Sequence, residues 1–488
     1  MRAFRLTDAA LVGLGAGRPA PETLAELRRA QLSRHLLLLS EIIKTGKTPH
    51  WYASTQPSRE ALADPMTGLY AATAVAALRS GADPADRPAL TVAGGRVLTS
   101  TSGGRTLRVR LDDADPLRAH LGLRPTARLS DTEAAGWQRC LDEAWRILVD
   151  RHPAGAATLA AVLRVIVPVE PDPDAGGISA TSANAYGAVA MSAPADGLSL
   201  AVGLLHETQH SLLNATRSLF DLIHPSVERG YSPWRDDPRP PFGILHGAYA
   251  YLAVTRFWLT ESAQPSGSRL AAFEFARWRA AVVAAADGLL GAAPLTAAGR
   301  RFVAALRDEA AGWLREPVDA EVARLAEGAN LDHRVRWRLR NLRVDRAAAG
   351  SLAAAWRAGL PRPALPEPVL APAPGRELER SSRLNLIHAL LRGSPRSGAG
   401  LAGRNPALRP GGGVRPGDDA YLGADHGTAY VAYLKGLEEE TGPDDLWSGL
   451  ALVLPALRER PELVRAVYLA LEAADPADLP GLADWLNG

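Results

Sequence analysis

Residues 186–213, YGAVAMSAPADGLSLAVGLLHETQHSLL, decide the reading of this chain, because they pass from strand to helix across one short connection. Tyr186-Gly-Ala-Val-Ala-Met-Ser192 has the composition of a buried strand, and Asp196 is a good N-cap for a helix beginning beside it. From Leu198 through Leu204, Leu205, Leu212, Leu213 and Leu219 to Ile223 the apolar residues recur at helical spacing, and His224-Pro225 ends the run. Inside that helix, His206-Glu207-Thr208-Gln209-His210 sets two imidazoles four residues apart on one face, where both reach a single divalent ion. Glu207, next to the first ligand, is placed to take a proton from an attacking water. The bland alternative is two histidines on an amphipathic helix and a solvated glutamate.

Working outward, Leu163–Val169 reads as a second buried strand, and residues 131–151 before it as a helix that buries Cys140 as a small hydrophobe. Residues 89–111 read as two or three short strands joined by glycine turns: Leu90–Ala93, Arg96–Thr99 and Thr106–Leu111, a small antiparallel hairpin. Residues 21–43 and 68–78 are helical in pattern. Downstream, residues 226–243 are rich in proline, charge and aromatic side chains without a period, which predicts an irregular segment. Helical patterns return at 244–262, 267–290, 296–327 and 331–358. Leu360–Pro374 reads as a linker and the remainder as a separate helical module. In that module residues 394–418 suggest a loose loop, and Asp418–Ala451 resembles one tetratricopeptide-type helix pair. The expected domains are therefore 1–125, 126–358, a linker at 359–375, and 376–488.

A catalytic metal needs a third protein ligand. His246 is the best candidate, since it opens the next helical pattern and Gly247 leaves room for close approach to the first helix. Glu261 is the rival carboxylate, and His224 and Glu228 follow the first helix too closely to be preferred. Between the second and third ligands, Arg235 and Arg239 stand among prolines beside Tyr231 and Trp234, a stiff cationic pocket for a carboxylate. The alternative is that the two arginines pair with Asp236, Asp237 or Glu228 and hold the loop.

Composition excludes several classes. A formal charge of +2 from 55 basic and 53 acidic residues gives no general attraction for nucleic acid or an anionic membrane. One cysteine allows no internal disulfide, and Asp8 with glycines 13, 15 and 17 interrupts any signal-peptide core. A cytoplasmic protein with no membrane or nucleic-acid partner is expected.

Leu205-His-Glu-Thr-Gln-His, Pro233-Trp-Arg-Asp-Asp-Pro-Arg-Pro and Gly243-Ile-Leu-His-Gly-Ala-Tyr-Ala-Tyr-Leu occur in that order. Together they resemble the H-E-x-x-H family of peptide-modifying proteins associated with ribosomal peptide natural products, most strongly over residues 186–260. The expected fold is α+β, mainly helical: a zincin-like core with a small antiparallel sheet and the H-E-x-x-H helix, which the resemblance implies, plus the C-terminal helical module read from the pattern beyond it. It implies an iron(II)- and alpha-ketoglutarate-dependent hydroxylase acting on the beta carbon of residues in a ribosomally synthesised precursor peptide. His206, His210 and His246 would hold the iron, and Arg235 or Arg239 the distal carboxylate of the keto acid. With zinc on the same ligands the expectation becomes a peptidase with Glu207 as general base. A non-catalytic peptide-binding protein is the third reading. Oligomeric state stays open, a homodimer included.

Overall fold

Gly103 and Gly104 both adopt positive φ, 52° and 71°, the two-residue turn that matches the twist of a hairpin. They fold β1 (Arg96–Ser102) back on β2 (Arg105–Leu111). Two helices after β2 act as a crossover, which lets β3 (Val165–Val169) lie parallel to β2. β4 (Ser179–Ala180) and β5 (Ala188–Ser192) complete a five-stranded sheet in the order β1-β2-β3-β5-β4. The sheet is therefore mixed: antiparallel at both ends but parallel at β2–β3 and β3–β5, not the antiparallel sheet expected.

This computed structural model describes residues 4, 6–45, 58–81, 95–172, 177–265, 267–372, 381–393, 414–439, 442–471 and 475–488. The described residues are mainly helical, 65% of them. The strand expected at Leu90–Ala93 lies outside the described residues, as do residues 394–413 of the expected loose loop and the end of the expected linker.

Two compact units share the chain. The first takes residues 1–225, 248–260 and 286–310, the second the rest. In the first unit, α1 (Asp8–Gly15), α2 (Pro21–Lys44), α3 (Arg59–Leu62) and α4 (Pro65–Arg79) precede the sheet. α5 (Asp131–Arg151) and α6 (Pro153–Val162) make the crossover, and α7 (Gly197–Arg217) comes after β5. Side chains alternate across the two central strands. Ile166 and Val189 join Trp137 of α5 and Leu200 and Leu204 of α7 in one core, while Val165, Val167, Ala188 and Ala190 join Leu39 of α2 and Leu69 of α4 in another. Cys140 is half-buried on α5. α7 stops at Arg217, short of the expected Ile223, because the chain beyond it makes other backbone bonds. His224 N–H donates to the carbonyl of Pro294 (2.9 Å) and Thr296 N–H to that of Leu222 (3.1 Å).

Three helices, α8 (Pro241–Ser262), α9 (Arg269–Ala292) and α10 (Ala297–Gly312), divide their residues between the units. The second unit opens with a hairpin where an irregular segment was expected: β6 (Gly230–Ser232) pairs with β7 (Arg235–Arg239). Buried partners on a long helix, α11 (Ala320–Asn341), account for it. Tyr231 Oη meets His333 Nδ1 at 2.8 Å, and Asn341 Nδ2 donates to the carbonyl of Asp236 at 2.9 Å. The run expected at 296–327 breaks before α11, where Asp319 caps the new helix, accepting from the amides of Glu321 and Val322. β8 (Leu342–Arg343) separates α11 from α12 (Arg346–Arg357) and pairs with β9 (Val369–Leu370), so the proline-rich stretch is pinned by a strand. The chain continues through α13 (Ser382–Leu391), α14 (Pro416–Leu422), α15 (His426–Glu439), α16 (Asp444–Val453), α17 (Pro461–Leu469) and α18 (Leu479–Asn487), α14 replacing the end of the expected loop. One core combines Leu325, Leu339 and Leu352 with Leu386, Trp447 and Val464. The C-terminal helices thus complete a core begun before residue 358 and do not form the separate module expected. Among the described residues no helix is long and apolar enough to cross a membrane.

Candidate metal centre

α7 is fixed at its start by a reciprocal cap. Asp196 Oδ1 accepts from Ser199 N–H (2.7 Å), and Ser199 Oγ accepts from Asp196 N–H (3.2 Å). Gly197 N–H also donates to Glu143 of α5 (3.1 Å), at a position where a Cβ would lie 2.5 Å from that side chain. The first half of the helix packs its leucines on the sheet, and from Glu207 to Leu213 every residue is buried.

His206 and His210 point their Nε2 atoms at each other, 3.0 Å apart, with ring centroids 4.6 Å apart and the rings at 89°. Two imidazole nitrogens bound at about 2.0–2.1 Å to one ion, at an angle near 90–110°, stand roughly 3.0–3.4 Å apart. The observed separation is that of adjacent ligands on one metal. Burial lowers the pKa of His206, against a smaller opposing pull from Glu207, which favours the neutral imidazole that a metal requires. The ring of Tyr251, on the first-unit portion of α8, meets His206 edge-on at 5.4 Å and limits its rotation.

Glu207 lies against the edge strand. Its Oε1 accepts from Ser179 Oγ (2.6 Å) and stands 4.0 Å from His206 Nε2, and its Oε2 accepts from Thr181 Oγ1. One ligand-capable atom from each of His206, Glu207 and His210 lies within 4.8 Å of the others, the one such group among the described residues. Ser179 and Thr181 were not singled out from the sequence. Two hydroxyl residues at i and i+2 face the same side of an extended segment, and that spacing was the available signal.

His246 is not a member of this group. It stands on α8 in the second unit, its ring tilted against Phe242 at 5.8 Å. The room left by Gly247 is taken by Trp234, whose Nε1 would lie 1.9 Å from a Cβ there. Arg235 Nε and Arg239 Nη1 both donate to the carboxylate of Asp237, at 2.9 and 3.1 Å, as the loop-holding alternative foresaw.

Compared with known proteins, the chain matches no family model and no curated protein.

Proposed function

We propose that this chain is a metal-dependent enzyme of zincin-like core acting on peptides, with His206 and His210 as metal ligands. The observation that carries the proposal is the 3.0 Å convergence of the two Nε2 atoms on a buried helix. The edge strand lying against that helix through Ser179 and Glu207 supports the zincin-like comparison. On the residues that carry the family resemblance, the reaction is iron(II)- and alpha-ketoglutarate-dependent hydroxylation of a ribosomally synthesised precursor peptide. Iron would supply the redox chemistry that activates dioxygen. The chain's own residues set its conditions: His206 and His210 supply the nitrogen ligands, Tyr251 restrains one ring, and Ser179 and Thr181 hold the carboxylate of Glu207. His246 as third ligand, and Arg235 or Arg239 as keto-acid partner, are proposed on sequence order alone.

A second reading rests on Glu207. A carboxylate 4.0 Å from a ligand nitrogen, its two oxygens oriented by hydroxyls, has the place of a general base in a zinc peptidase. Anaerobic reconstitution with iron(II), then exposure to air with alpha-ketoglutarate and precursor peptides, separates the two. Succinate formed by the wild type, and lost in His206→Ala and His210→Ala, is the result expected. Absence of succinate with every peptide, together with peptide cleavage by the zinc form that Glu207→Gln abolishes, establishes the peptidase. His246→Ala in the same assay decides the third ligand.

A further inference from the structure

On α7, Leu205, Thr208 and Gln209 share a face distinct from that of the two metal-site histidines. They form part of the wall of a cavity of about 1160 Å³ within the first unit. Leu24 and Leu32 of α2, with Ala253 and Phe257 of α8, make it apolar, and His152 stacks on Phe257 at 4.4 Å. Among the described residues six arginines line it, Arg18, Arg28, Arg29, Arg59, Arg151 and Arg256, against one acidic residue, Glu60; Arg18 and Arg256 pair with Glu309, and Arg29 with Glu26, both outside the wall. One further feature adds to the positive field of the wall. α6 begins at the cavity with no side-chain cap, its first-turn residues Ala154 and Gly155 in the wall.

We infer that this cavity docks a peptide segment carrying apolar side chains among acidic ones, apart from the metal centre. The volume exceeds the roughly 300–1,000 Å³ that small-molecule sites occupy. Arg28 of α2 and Arg59 of α3, both exposed, stand on separate elements and match separated carboxylates better than one head group. From the proposed function the inference takes only that the substrate is a peptide.

Fluorescence anisotropy of the full-length chain, with no added metal, tests it. The probe is a fluorescein-labelled peptide with leucines at i, i+3, i+4 and i+7 and glutamates between them. Saturable binding is expected, weakened roughly tenfold or more in Arg28→Glu/Arg59→Glu, whose native side chains are exposed, and in Ala157→Trp, which fills the cavity from an exposed position. His206→Ala should bind like the wild type, and a lysine version of the probe should not bind. Failure of the glutamate probe to bind, equal binding by the variants, or capture of oleate without the peptide overturns the inference. Peptide binding without succinate or cleavage leaves docking standing and removes the catalytic reading. Turnover that survives loss of binding in the arginine variant does the reverse.

Discussion

Glu207 and Asp115 are both buried carboxylates of the first unit, and their surroundings treat them differently. Glu207 has a hydroxyl donor on each oxygen. Thr181→Val removes one and leaves a buried oxygen unsatisfied, which costs roughly 1–3 kcal/mol. Thr181→Ser keeps the donor, so urea midpoints should fall for the valine variant and hold for the serine one; equal midpoints would show that the hydroxyl is incidental. Asp115 Oδ1 accepts from Leu117 N–H (2.8 Å), but its Oδ2 is buried without a partner among the described residues. Burial raises its pKa from 3.8 to about 6, the bond from Leu117 only partly opposing this. Between those values the folded chain holds a proton that the unfolded chain has released, so stability falls as pH rises through this window. The loss is of order 2–3 kcal/mol and complete above it. Asp115→Asn keeps the acceptor for Leu117 and removes the charge. It should be more stable than the wild type at pH 8 and gain little at pH 4, as urea titrations at the two pH values will show; the same gain at both contradicts the assignment.

At the scale of elements, α7 delivers the ligands and its first turn holds it in place. Asp196→Ala removes the cap and should cost about 1 kcal/mol in thermal or urea unfolding. The ligands lie more than two turns further on, so metal affinity in the folded protein should not change; a large loss of affinity would mean that the cap positions the histidines. The β6–β7 hairpin depends on a close approach instead. A methyl group at 247 meets the Trp234 indole at 1.9 Å, and a rigid ring cannot yield, so Gly247→Ala should cost roughly 1–3 kcal/mol and alter near-UV circular dichroism. Legibility in the sequence divides along the same line. The N-cap at Asp196 and the buried strands at 165–169 and 188–192 carried local signals: a capping side chain and unbroken apolar runs. The hairpin at 230–239 did not, because Pro233 and Pro238 mask its pattern and its partners, His333 and Asn341, lie about a hundred residues away. The end of α7 was overextended for a similar reason: Leu219 and Ile223 continue the periodicity, while the backbone bonds to Pro294 and Thr296 that replace the helix are invisible locally. Parallel pairing in the sheet likewise depends on how α5 and α6 cross it.

At the scale of the whole molecule, the question is whether the proline-rich stretch at 359–375 separates two bodies. In the second unit it does not. Val322, Leu325, Val335 and Leu339 of α11 and Leu352 of α12 are buried in the same core as Leu386, Leu450, Val464 and Leu482 from beyond that stretch. Charge reinforces the join. Asp332 of α11 is buried, which by itself would raise its pKa, yet Arg383 and Arg336 bring it down to about 2. Arg383 also reaches Asp418 at 2.9 Å, and Tyr433 donates to the same carboxylate at 2.7 Å. A chain cut after residue 375 would keep Asp332 with Arg336 but lose Arg383, breaking a buried ion pair whose partner is worth roughly 3–5 kcal/mol in such a setting. It would also expose the five α11 and α12 side chains, at about 1.5–3 kcal/mol each. Those losses together match or exceed the roughly 5–15 kcal/mol of a whole domain. Residues 1–375 produced alone should therefore aggregate, or be digested through α11 and α12 under proteolysis conditions that leave the full chain intact. A monodisperse, protease-resistant 1–375 by size exclusion would show instead that the C-terminal helices are an appended body and that α11 carries its own core.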